Sequence, residues 1–100
     1  MSGFVQIIEY TTSRFDEIKE LAEKLRAEGQ GGPAGAVGVT ITEDRDRPGH
    51  FMTIAEFESY EKAMENSNHP STQEFATAMT QLVDGPPTFY NLDVRDRWDG

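Results

Sequence analysis

His69 lies in "ENSNHPSTQEF", residues 65 to 75, between three small polar residues and a proline. An imidazole titrates near neutrality, so at the mouth of a pocket it serves as a general base or a polar anchor. At a helix junction before Pro70 the same ring can instead hydrogen-bond a freed carbonyl or cap the next helix. The sequence leaves both readings open. His50, the other histidine, follows "RPG" at a loop end, where a histidine is usually solvated. Gln6 is the one uncharged polar residue inside the β-type run "FVQIIEY", so it needs a partner if buried. A side chain on another strand would satisfy it, and so would a ligand that it orients. Tyr10, Phe57, Tyr60, Phe75 and Met79 either line an aromatic pocket for a planar ligand or form core.

Other chemistries find little support. Glu9 and Glu56 are a conjectural carboxylate pair, of which one would hold its proton at neutral pH if both were buried. There is no cysteine, hence no disulfide, thiolate nucleophile or cysteine-based metal site. Two histidines do not make a histidine-rich metal site, so neither a metal nor a cofactor is expected. Nucleophile elbow, Walker loop and zinc motif are missing, and the glycines of "GQGGPAG" lack the strand and helix that a phosphate-cradling loop needs. Nine Lys and Arg against eighteen Asp and Glu give a net charge of −9, which repels phosphate backbones and anionic lipids. No nucleic-acid or membrane partner is expected. With no basic leader at the N-terminus and no apolar run near the ~20 residues of a membrane span, the chain reads as a soluble cytoplasmic protein.

These side chains need elements to position them, and 100 residues make one domain, residues 1 to 100. "FVQIIEY", residues 4 to 10, reads as a first strand, with Phe4, Gln6, Ile8 and Tyr10 on one face and Val5, Ile7 and Glu9 on the other. Ser13 followed by Asp16 predicts a helix running to about Glu28 and stopping at Gly29. Its apolar stripe is Phe15, Ile18, Leu21, Ala22 and Leu25. Residues 36 to 43 and 50 to 58 alternate as strands joined by a loop of about six residues, "DRDRPG". Ser59 caps a short helix burying Tyr60, Ala63 and Met64, which ends at Asn66-Ser67-Asn68 through a left-handed asparagine. Pro70 suits the first turn of the next helix, with Ser71 and Glu74 as a competing capping box. That helix buries Phe75, Ala78, Met79, Leu82 and Val83 and stops at residue 84. Residues 88 to 96 form the last strand, and Trp98 either anchors the tail on a partner subunit or is exposed.

The order is β-α-β-β-α-β with the second helix broken in two, the split βαβ or ferredoxin-like α+β arrangement with an antiparallel sheet. The strands are apolar on both sides, yet the helices suffice to cover one. A partner on the other side is therefore expected, and two sheets packed face to face make a homodimeric α+β barrel. On the last strand, Asn91 and Asp93 read as edge or dimer-contact polar groups.

"FVQIIEYTTSRFDEIKELAEKL" and "MTIAEFESYEKAMENSNHPSTQEFATAM" together resemble the antibiotic biosynthesis monooxygenase-like superfamily of dimeric α+β barrels. Members tend to show a strand, an aromatic-Glu-Ser motif, a short helix, a small polar break and a second helix containing Phe. Here these are Phe57-Glu58-Ser59 and Phe75. The resemblance implies a homodimer with a small apolar pocket between sheet and helices in each subunit. It further implies cofactor-independent oxygenation of a small aromatic or quinol-type substrate, with His69 as base or anchor and Gln6 orienting the ligand. Oxygenases of this type often carry a Trp where this chain has Phe57, and haem-degrading members carry a Trp on the following helix, where this chain has none. The departure points to the alternative, a non-catalytic homodimer that binds a small molecule or serves as an interaction module.

Overall fold

The computed structural model describes residues 3–25 and 36–98. Strand β1 is Gly3–Thr11, β2 Ala36–Glu43, β3 His50–Phe57 and β4 Thr88–Val94, while α1 is Phe15–Leu25, α2 Tyr60–Ser67 and α3 Pro70–Thr80. The strands form one antiparallel sheet in the order β2-β3-β1-β4. This is the expected ferredoxin-like α+β arrangement, with the broken second helix and with β2 and β3 as a hairpin. The expected end of α1 and the "GQGGPAG" segment lie outside the described residues.

Period-two alternation along β1 is converted by the register into rows across the sheet. Phe4, Gln6, Ile8 and Tyr10 stand opposite Phe57, Ala55, Thr53 and Phe51 of β3, all on one face. This face carries the helices. At one end Tyr10 and Phe51 join Ile18 of α1 and Met79 of α3, with Phe15, Phe75, Leu82 and Val83 packed around them. The rings of Tyr10 and Phe15 both stack on Phe51, at centroid separations of 5.8 and 4.5 Å. At the other end Phe4 and Phe57 enclose Ala63 of α2, which has no exposed surface. Full burial of a side chain such as Ile18 contributes about 1.5–3 kcal/mol.

Several local expectations are corrected. Helix α1 is capped by Arg14 and not Ser13, because the Arg14 carbonyl accepts from the N–H groups of Glu17 and Ile18. Thr12 sets that start: its buried hydroxyl accepts from the Arg14 N–H at 2.9 Å and donates to the Leu82 carbonyl at 2.6 Å. Tyr60 is not buried but 53% exposed, with its ring edge-on to Phe4. Helix α2 ends without a left-handed residue. Asn68 stays right-handed, at φ −91°, and its N–H reaches the carbonyls of Met64 and Asn66. The break is held by Asn66, which is buried and accepts a 2.9 Å bond from the Thr72 hydroxyl.

Helix α3 starts from His69, whose carbonyl accepts from the N–H groups of Thr72 and Gln73, while the Ser71 side chain of the competing capping box lies outside the described residues. It ends at Thr80, earlier than expected, because the chain tightens through a Leu82 N–H to Met79 carbonyl bond. The Asp84 N–H is then taken by the Thr11 carbonyl of β1 at 2.7 Å. Strand β4 likewise stops at Val94, two residues short of the expected end. Among the described residues no helix is long and apolar enough to cross a membrane.

Candidate functional site

Between the two core clusters, the helix face of the sheet has two rows that no cluster fully buries. The first runs Val39, Ala55, Gln6, Asn91 and the second Ile41, Thr53, Ile8, Phe89. Gln6, Ile8, Thr53 and Ala55 are half-buried, while Phe89 on the edge strand is 55% exposed. No residue of these two rows carries a charge.

The polar groups of the strip are paired with each other. Gln6 donates its amide N–H to Asn91 Oδ1 at 3.1 Å, which is the strand partner that a polar residue inside β1 requires. The Tyr10 hydroxyl meets the Thr53 hydroxyl at 3.1 Å. Burial pushes the Tyr10 phenol up from its ordinary value, and the Thr53 hydrogen bond opposes this to a smaller extent. Tyr10 is thus a neutral hydrogen-bonding group at neutral pH. The Gln6–Asn91 pair retains a free amide acceptor on Gln6 and amide donors on Asn91, so the strip can orient a neutral ligand by hydrogen bonds over an apolar floor.

The sequence-selected residues divide among distinct places. Tyr10, Phe75 and Met79 gather in one cluster, with Tyr10 and Met79 buried. Phe57 belongs to the other, and Tyr60 reaches it through Phe4. Gln6 lies between the two. His69 sits half-buried at the α2–α3 junction, where its backbone serves both helices: its N–H donates to the Asn66 carbonyl and its carbonyl opens α3. Sequence reasoning misses Thr53, although its alternation with Phe51, Ala55 and Phe57 assigns it to the helix face. Asn91 reads in the sequence as an edge polar group, and only the register aligns it with Gln6.

Glu9 and Glu56 do not form a carboxylate pair. Glu56 stands opposite Val5 and Glu9 opposite Met52, four residues apart along β1, or about 13 Å. Each has another partner: the Tyr90 hydroxyl donates to Glu9 at 3.0 Å, and Arg97 lies 3.7 Å from Glu56. The bond to Glu9, followed by its charge, raises the Tyr90 phenol. His50 lines a recess of about 150 Å³ at the β2–β3 turn, together with Glu9, Arg47 and Met52. Arg47 is held there by Asp44 at 2.9 Å, whose carboxyl is lowered by the Asp46 N–H and then by Arg47. Among the described residues no cluster of His, Asp and Glu could hold a metal ion.

No protein-family model and no curated protein sequence matches the chain. Solved structures do match. A candidate antibiotic biosynthesis monooxygenase from Caulobacter crescentus CB15 superposes with a TM-score of 0.79 at 13% identity, over 95% of this chain and 92% of that one. Rv0793 from Mycobacterium tuberculosis gives 0.78 at 13% identity, over 97% and 99%. A single-residue variant of SnoaB, a cofactor-independent oxygenase from Streptomyces nogalater, gives 0.72 at 17% identity, over 97% and 95%. The chain therefore has the fold of the antibiotic biosynthesis monooxygenase-like proteins.

Proposed function

We propose that this protein is a soluble, cytoplasmic homodimeric oxygenase that acts without cofactor on a small aromatic or quinol-type substrate bound against the Gln6–Asn91 strip. The observation that carries the reading is the strip itself, a half-buried apolar floor with neutral hydrogen-bonding pairs, in a fold shared with a cofactor-independent oxygenase. Tyr10, Phe57, Tyr60, Phe75 and Met79 supply the aromatic and thioether surroundings, and Gln6 and Asn91 orient the ring. His69 acts as base or anchor. A substrate whose ring methylene is acidified by a neighbouring carbonyl loses a proton, and its carbanion attacks dioxygen. The resulting peroxide takes a proton back and loses water to leave a new carbonyl. One methylene and one dioxygen thus become one carbonyl and one water, with no outside reductant. Holding the substrate in a reactive orientation supplies much of such a rate.

Oxygen uptake with anthrone as probe tests this, measured against buffer and against the His69→Ala protein. Uptake above background that falls at least tenfold in a still-folded His69→Ala variant supports enzyme and base together. Uptake unchanged in the variant removes His69 from the chemistry; no uptake above background removes the enzymatic reading for this probe class. One observation favours the alternative of a binding homodimer without turnover: the end of β3, where the oxygenases this chain resembles often carry a Trp, holds Phe57, buried beside Phe4 and Ala63. Retained binding of anthrone without oxygen consumption is the expected result in that case.

A further inference from the structure

Strand β4 turns Phe89, Asn91 and Asp93 towards the helix side of the sheet, opposite Ile8, Gln6 and Phe4 of β1. All three are exposed, whereas Phe4 is buried and Gln6 and Ile8 are half-buried. The helices thus cover β1 and stop short of β4, which leaves the strip open along that edge. Asp93 stands at one end of the opening. The sequence reads it as an edge or dimer-contact group, but the register sets it on the face opposite the one where a second copy is expected. Among the described residues its carboxylate makes no hydrogen bond and no ion pair, while Arg97, four residues on, is paired with Glu56 on the other face.

We propose that Asp93 makes the strip a site for a small aromatic cation: it takes the protonated amine of a ligand whose ring lies against Gln6, Ile8 and Asn91. The inference rests on the strip as the binding surface of the proposed function and specifies the charge of what binds there. Asp93 and Asn91 are two residues apart on one face of a strand, or about 7 Å. A phenol joined to an amine by a two-carbon link spans that distance, with its ammonium at Asp93 and its hydroxyl at the Gln6–Asn91 pair. One amide of the pair is bonded to the other, which leaves a free acceptor on Gln6 and free donors on Asn91 for the phenol.

Ring surface and electrostatic field both suit a cation. The exposed Tyr60 ring stands edge-on to Phe4 at a centroid separation of 5.4 Å, and Phe4 is the residue in register with Asp93. A carboxylate beside aromatic surface is the combination that holds an ammonium, because a ring face attracts cations. Asp93 is also the only charged residue that β4 turns to this face, and the two rows of the strip are neutral. The end of the strip therefore selects by sign. In a chain of net charge −9 the surrounding field draws cations and turns anions away. Since the carboxylate is exposed, the preference is moderate and sensitive to salt.

Isothermal titration calorimetry on the full-length protein separates charge from shape with three ligands that share one ring: tyramine, 4-ethylphenol and 3-(4-hydroxyphenyl)propionate, at neutral pH. At low salt tyramine is expected to bind at least about fivefold tighter than 4-ethylphenol, and the propionate more weakly than either. Asp93→Asn should bring tyramine to the level of 4-ethylphenol and leave 4-ethylphenol unchanged. Glu20→Gln removes the same charge from the exposed side of α1 and should leave the preference intact. Gln6→Leu should weaken both phenols alike, with circular dichroism verifying the fold of each variant. Equal affinities of tyramine and 4-ethylphenol overturn the role of Asp93 and leave the strip standing. A tyramine preference that survives Asp93→Asn, or phenol binding indifferent to Gln6→Leu, also overturns the inference. Absence of tyramine binding overturns it too, and titration with anthrone then tells whether the strip of the proposed function has failed with it.

Discussion

Ile7 and Ile8 are neighbours on β1 and both half-buried, yet they belong to different surfaces. Ile8 packs against the cluster of Tyr10, Ile18, Phe51 and Met79, which β1, α1, β3 and α3 of the same chain build together. Ile7 shares the opposite face with Ile54, Met52, Tyr90 and Leu92, where the described helices do not reach. The contrast shows that a period of two makes two apolar faces but cannot say what covers each. One face is satisfied within the chain, and the other is available to a second copy.

The comparison can be broken most severely on the helix face. Ile18→Ala removes a side chain that is 1% exposed at the meeting of α1 with the sheet, and a loss of about 2–5 kcal/mol in denaturant unfolding is expected. A loss well below that range would mean that α1 does not carry this core. Thr12→Val keeps the shape but leaves the Leu82 carbonyl and the Arg14 N–H without their partner. About 1–3 kcal/mol should go from stability.

The pair Ile7→Ala and Ile8→Ala sharpens the comparison directly. Ile8→Ala should lower the melting temperature equally at all protein concentrations, because its contacts lie within one chain. Ile7→Ala should show a deficit that grows with concentration, since folding is linked to association by mass action. Identical concentration profiles for the two variants would remove the distinction between the faces.

The smallest effect is an alkaline one. Burial raises the Tyr10 phenol, so above the ordinary tyrosine pKa the unfolded chain loses its proton before the folded chain does. The unfolded state then binds fewer protons, and stability falls as pH rises through and beyond about 10. Tyr10→Phe should flatten that alkaline slope, which a thermal unfolding series from about pH 8 to about pH 11 measures. An unchanged slope would assign it to other groups.

Much of the fold was legible because it is written in local pattern. Alternation in "AVGVTITE" and "HFMTIAEF" gave a hairpin with its six-residue turn, and the spacing of Phe15, Ile18, Leu21 and Ala22 gave the inner stripe of α1, with Ile18 buried and the others half-buried. Helix ends were less legible. Arg14 and His69 cap through their backbone carbonyls, so neither carries a side-chain signature, and Thr12 acts through a carbonyl 70 residues away. The candidate strip was half legible: Gln6 stood out as a polar residue needing a partner, whereas Thr53 and Asn91 looked ordinary until aligned beside it.

From the sequence alone came the order of elements, the two-sided strands, the absence of cysteine chemistry and the acidic balance, because each depends on residue type and short-range spacing. Only the tertiary structure decided that Gln6 meets Asn91 and not a more distant strand, that Glu9 and Glu56 stand apart, and that Tyr10 and Phe57 are held in separate clusters. Those outcomes depend on strand register. Pairing β1 with β3 and β4 joins segments some 40 to 90 residues apart, and a shift of one residue would turn every side chain to the opposite face. It is the packing of both core clusters at once that selects the register.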